Sequence, residues 1–149
     1  MHKILGDTYT LIDHQMKMEN INFHTDFSAS SDLIQCSGNQ IKQACIALLL
    51  NAFEAVSENG EIIIKTSNPD DQTISMDIVD NGVGIAKEDI PQIFEPFFST
   101  KDKASGIGLG LAIVHGIVQS HKGRIEVKSQ VGKGTSISII LPVVKNLKP

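Results

Sequence analysis

Leu5, Tyr9, Ile12 and Met16 recur at helical spacing and predict a short lead-in helix over residues 4–19. Alternation follows: Ile21, Phe23, Thr25 and Phe27 share one side of a predicted strand over residues 20–27, and residues 32–36 read as a second strand. A longer helix is predicted from Asn39, a good N-cap residue, to about Ser57, ending near Asn59-Gly60. Along it Ile41, Cys45, Leu48, Ala52 and Val56 form one apolar stripe. Gln43, Ala47, Asn51 and Glu54 fall on a different, mostly polar arc. Strand patterning resumes over residues 61–66 and 73–79, separated by the turn formers Asn68-Pro69-Asp70-Asp71. Residues 87–93 have room for one or two helical turns. Residues 95–106 lack periodicity and are rich in Ser, Thr, Lys and Gly, as a loop is. Residues 107–120 are apolar nearly all round, which predicts a buried helix. Residues 124–129 and 135–141 alternate as a hairpin around Val131-Gly132-Lys133-Gly134. This order predicts an α+β fold in two layers, a mixed and mostly antiparallel sheet with helices on one face. No repeat or linker interrupts it, so residues 1–149 read as one domain.

Composition narrows the partners. The 149 residues are 41% hydrophobic and 20% charged, the profile of a globular domain with a core. A formal net charge of −4 and the lack of a basic run argue against nucleic acid as a partner. Cys36 and Cys45 have neither zinc nor redox spacing, and Cys45 lies on the apolar stripe and reads as a small buried hydrophobe, which suits a reducing cytoplasm. The run from Ile46 to Leu50 is too short to span a bilayer, and no signal peptide opens the sequence; no membrane contact is expected of this domain.

Three stretches carry candidate chemistry. The strand over residues 73–79 delivers Asp80 into Asn81-Gly82-Val83-Gly84-Ile85. A buried carboxylate at a strand end can accept a hydrogen bond from an adenine amino group, and glycines let backbone approach a flat ligand. An ordinary type I′ turn uses the same residues, so this stretch alone leaves both readings open. Gly106-Ile107-Gly108-Leu109-Gly110-Leu111 opens a helix, where free N–H groups and the positive dipole end suit phosphate. It follows a polar loop rather than a strand, which argues against a dinucleotide fingerprint, and no Gly-Lys-Ser/Thr follows to make a Walker loop. Asn51, on the polar arc, offers an amide oxygen suited to one position on Mg²⁺, although a solvent-facing asparagine fits the same pattern.

Leu49-Leu50-Asn51-Ala52-Phe53-Glu54-Ala55, Asp80 to Ile85, Phe94-Glu95-Pro96-Phe97-Phe98-Ser99-Thr100-Lys101, Gly106 to Leu111 and Gly132-Lys133-Gly134-Thr135 occur in this order. Together they resemble the catalytic and ATP-binding domain of sensor histidine kinases. That domain has the Bergerat ATP-binding fold shared with gyrase, a heat-shock chaperone and a mismatch-repair ATPase. The resemblance spans residues 21–141 and implies ATP and Mg²⁺ as cofactors. It implies that Asn51 ligates Mg²⁺, that Asp80 holds the adenine amino group, and that Gly82, Gly84 and Ile85 lie along the base. Thr135 would support Asp80, directly or through water. Phe94, Phe97 and Phe98 would anchor an ATP lid over residues 95–106, from which Lys101 and Lys103 reach the phosphates. Gly106, Ile107, Gly108, Leu109 and Gly110 would close on the triphosphate. The implied activity is transfer of the γ-phosphoryl group to a histidine of a dimerisation domain, then to a response regulator, with Asn51 and Lys101 as the catalytic pair.

The sequence departs from the family pattern at several positions. Ala47 stands one turn before Asn51, where related ATPases place a glutamate base and many kinases an asparagine or histidine. Ile107 replaces a common threonine, Asn39 a frequent aspartate, and Glu54 stands where several kinases carry a basic phosphate contact. His2, His14, His24, His115 and His121 are followed by Lys, Gln, Thr, Gly and Lys, not by the acidic residue that follows a phosphoacceptor. The acceptor domain is therefore expected on a separate segment. Two other functions remain open: a nucleotide-binding regulatory module without catalysis, and a serine kinase or hydrolysing ATPase of the same superfamily, which Ala47 disfavours.

Overall fold

The computed structural model describes residues 1–96 and 110–145. Its elements in chain order are α1 (His2–Met18), β1 (Asn22–Phe27), α2 (Gly38–Ala55), β2 (Glu61–Asp70), β3 (Thr73–Asp80), a 3₁₀ turn (Ile90–Gln92), α3 (Gly110–Ser120), β4 (Arg124–Gln130) and β5 (Gly134–Pro142). The strands form a 5-stranded sheet in the order β1-β2-β3-β5-β4. Only β1 and β2 run parallel, with α2 as their crossover; the other pairs are antiparallel. The mixed, mostly antiparallel sheet is the one expected.

Register decides which residues form the core. Pairing places Phe23 beside Ile62, Ile64 beside Ile78, Met76 beside Ile139, and Ile137 beside Val127, all on one face. That face is buried under α1, α2 and α3 in a single apolar cluster with Leu5, Met16, Leu48, Leu49, Val114 and Val118. The other face carries Lys65, Asp77, Ser138 and Glu126 in a cross-strand row. Period-two alternation thus sorts each strand into a helix side and a polar side. Cys45 is fully buried, which pushes its thiol up to about 12 and keeps it inert at neutral pH. Among the described residues no helix is long and apolar enough to cross a membrane.

Several local expectations need correction. Residues 32–36 are not a strand; they have no regular secondary structure, and a carbonyl there (Leu33) accepts from Val144 N–H at 2.7 Å. The N-cap of α2 is Ser37, not Asn39: its hydroxyl accepts from Gln40 N–H at 3.4 Å, and Asn39 is already helical. Strand β2 continues through Asn68 and Pro69 with a register shift between Ser67 and Asp70, and the chain reverses at Asp71-Gln72 instead. Asp70 fixes that reversal by accepting from Gln72 N–H (2.8 Å) and the Thr73 hydroxyl (3.0 Å), which hold its carboxyl below the usual range. Helix α3 is not buried all round. Val114, Ile117 and Val118 face the core while Ile113, His115 and Gln119 are exposed, because α3 lies at the surface of the helical layer.

Two side chains hold the layers in place. His121 joins the end of α3 to the start of α2: Nδ1–H donates to Ile117 O at 2.7 Å, and Nε2 accepts from Ser37 N–H at 3.1 Å. Those partners fix the tautomer, since a carbonyl only accepts and an N–H only donates. Asn68 ties the segment before α2 to the β2–β3 turn. Its oxygen accepts from Ser30 and Ser31 N–H (2.9 and 3.0 Å) and its amide donates to Ser31 O and Thr73 O (2.8 and 2.9 Å). Asn68→Ala is expected to cost about 2 kcal/mol and lower the melting temperature by roughly 4–8 °C. Thermal unfolding checks this.

Candidate nucleotide site

Strand β3 ends at Asp80, and register sets Asp80 beside Thr135 of β5 and Thr135 beside Ser129 of β4. All are inward positions, so the row that begins with Phe23 and Ile62 continues as a carboxylate and then two hydroxyls. Asp80 is 8% exposed and Thr135 6% exposed. Asp80 Oδ1 accepts from Gly82 N–H at 2.8 Å, which turns the chain out of the sheet and orients the carboxylate. The Ser129 and Thr135 hydroxyls are 2.8 Å apart.

The loop after Asp80 is held along its whole length. Asn81 Oδ1 accepts from Glu61 N–H at 2.8 Å, and Asn81 N–H donates to Glu61 O at 3.2 Å. Val83 N–H donates to Ala55 O at the end of α2 (3.0 Å), and Val83 O accepts from Gly132 N–H (2.8 Å). Ile85 N–H donates to Ser129 Oγ at 2.7 Å. Among the described residues no strand follows to pair with β3 across this loop, so the type I′ hairpin reading fails. β3 pairs instead with β2 and with β5 from the far end of the chain. Of the two loop glycines only Gly84 has a positive φ, +77°. A Cβ there would meet Gln130 O and lie 2.9 Å from Val131 Cα, and one on Gly82 would meet Ala55 O and lie 2.6 Å from Ala55 C. Close backbone packing accounts for both glycines before any ligand is considered.

Asn51 is half-buried on α2, one helical turn before Ala55, whose carbonyl carries the loop. Four residues of α-helix put it about 6 Å along the axis from that anchor. Ala47, a further turn back, packs against the core. Of the polar arc read from the sequence, Asn51 is half-buried and Glu54 exposed. Among the described residues no group of three or more His, Cys, Asp or Glu side chains is placed to hold a metal ion.

Phe94 is half-buried, its ring 5.9 Å from that of exposed His115 on α3 and tilted 39° to it. Gly110 is the first residue of α3. Phe97 and Phe98, expected to anchor the lid, and Lys101, Lys103, Gly106, Ile107, Gly108 and Leu109, expected around the phosphates, lie outside the described residues. Ser129 was not singled out by sequence reasoning. The signal was a polar residue in the inward series Ile125, Val127, Ser129.

Residues 36–145 match the family described as histidine kinase-, DNA gyrase B- and HSP90-like ATPase. Sporulation kinase E of Bacillus subtilis (strain 168) is 34% identical over 144 residues, which are 97% of this chain and 19% of that protein. Sensor histidine kinase ZraS of Escherichia coli (strain K12) is 37% identical over 144 residues, 92% of this chain and 30% of that protein. The chain thus spans a fifth to a third of the length of these curated relatives. Among solved structures, the catalytic domain of histidine kinase ThkA superposes with a TM-score of 0.83 at 30% identity, covering 95% of this chain and 92% of that one. ThkA in complex with the response regulator TrrA superposes at 0.80 with 27% identity, covering 97% and 40%. A chain that reproduces a kinase catalytic domain in family match, identity and fold belongs to the histidine kinase-, gyrase B- and HSP90-like ATPases, on the branch formed by the catalytic domains of sensor histidine kinases.

Proposed function

We propose that this chain binds Mg-ATP in the cytoplasm and passes the γ-phosphoryl group to a histidine of a separate dimerisation domain, from which it moves to a response regulator. The observation that carries this reading is the buried Asp80, oriented by Gly82 N–H at the end of β3 and backed by the Thr135–Ser129 hydroxyl pair. An acceptor held in that way suits an exocyclic amine. Asn51 would hold Mg²⁺, and the ion would offset the charge that shifts onto the phosphate oxygens. In the transfer, a nitrogen–phosphorus bond forms at the acceptor imidazole as the bond from the γ-phosphorus to the bridging oxygen breaks and ADP leaves. The transition state is loose, so positioning and charge balance are what the domain contributes. Lys101 and Lys103 are proposed to meet the phosphates, with Gly106 to Gly110 following the triphosphate. Ala47 supplies no base beside Asn51, which favours transfer to an imidazole over hydrolysis.

Phosphorylation of a supplied histidine-bearing dimerisation domain tests the proposal. Asn51→Ala is expected to slow transfer on the order of 100-fold, the scale for removing one electrostatic stabiliser. Full transfer by that variant would remove Mg²⁺ from Asn51. A parent that binds Mg-ATP yet transfers nothing would mark a regulatory module, the reading that Ala47 keeps open.

A further inference from the structure

We propose that Ser129 is a positioning residue that makes Thr135 an acceptor toward the base, so that the site selects a 6-amino purine over a 6-oxo purine; this rests on the nucleotide reading above. A serine oxygen has one proton to give and two lone pairs. Ser129 Oγ has three partners: Ile85 N–H at 2.7 Å, Gly134 O at 3.1 Å and Thr135 Oγ1 at 2.8 Å. The amide donates, and the carbonyl accepts the single serine proton. That leaves one lone pair of Ser129 for the Thr135 proton, and this is the assignment that satisfies all three contacts at once.

The consequence reaches the ligand. With its proton turned toward Ser129, Thr135 presents only lone pairs to the rest of the row, and its register neighbour there is Asp80. Those two groups, a carboxylate and a hydroxyl oxygen that both accept, offer the base no donor of their own. An adenine 6-amino group has two protons to offer it. A guanine 6-oxo group has none and would set lone pairs against lone pairs, a mismatch that is costly in a buried site. Ser129 also anchors the loop through Ile85 N–H, so one hydroxyl sets the loop position and the polarity of the row.

Calorimetric titration of the full chain with Mg-ATP and Mg-GTP tests this. Ser129→Ala frees the Thr135 proton, and the ratio of ATP to GTP affinity should fall about fivefold or more. Ser129→Thr keeps the hydroxyl and should restore the ratio. Ser129→Cys, which fills the space with a weak acceptor, should move the ratio in the same direction as alanine and serves if alanine fails to fold. A merely structural role would weaken both nucleotides equally and leave the ratio unchanged; that result, in a parent that binds ATP, overturns the proposal. A parent that binds neither nucleotide overturns the site itself.

Discussion

Asp80→Asn is expected to weaken Mg-ATP binding on the order of 100-fold while keeping the melting temperature within a few degrees of the parent. The carboxylate accepts from Gly82 N–H at 2.8 Å, a bond that shapes the loop. Asparagine can preserve that bond with its amide oxygen, and its NH₂ then replaces the second carboxylate oxygen. An adenine amino group would meet an N–H instead of a lone pair, and the charge that strengthened its bond would be gone. Flipping the amide restores an acceptor for adenine only by turning NH₂ toward Gly82 N–H. Both orientations lose one partner, and the loss falls on binding because the oxygen-in orientation keeps the fold. Parallel calorimetry and thermal unfolding measure the two effects separately. Affinity within threefold of the parent would remove Asp80 from the base.

Gly134→Ala carries the other large effect, on the fold and through it on the site. Gly134 opens β5 at φ +121°, and a Cβ there would collide with Asp80 O and lie 2.8 Å from Asn81 Cα. Those atoms are backbone held by strand pairing, so no rotamer change relieves the contact. Strain at that φ and overpacking each cost about 1–3 kcal/mol, so a loss of about 4 kcal/mol and a melting temperature lower by roughly 10 °C are expected. Gly132 is the control: its φ is +81°, but nothing lies within 4 Å of a Cβ. Gly132→Ala should cost only about 1–2 kcal/mol, the left-handed penalty alone. Equal destabilisation of the two variants would show that backbone conformation, not the approach of Asp80, governs the turn.

Much of this architecture was legible because local periodicity and tertiary burial agree. The stripe Ile41, Cys45, Leu48 and Ala52 is buried, and Asn51 with Glu54 falls outside it, as helical geometry requires. Disagreements arose where one residue had two competing roles. Asn68-Pro69-Asp70-Asp71 has turn composition, yet Asn68 is engaged by Ser30, Ser31 and Thr73, so the strand continues and reverses later. Asn39 has cap chemistry, but Ser37 is held two residues earlier by His121, a contact between positions 84 apart in sequence. The apolar composition of α3 signalled a buried helix, while its neighbours cover only one side.

The sequence by itself determined the helices, the five strands that pair and the set of chemical residues, because hydrophobic period and turn chemistry are local properties. Motifs in order were enough to imply the family. Tertiary structure alone decided which residues meet. Asp80, Thr135 and Ser129 share a row only because β3 pairs with β5 and β5 with β4, bringing together positions some 50 residues apart. It also decided that Gly82 and Gly84 clear Ala55 and Gln130, and that a serine completes the hydroxyl pair behind the carboxylate. Pairing between distant strands is set by global packing of the shared face, which no window of local pattern contains.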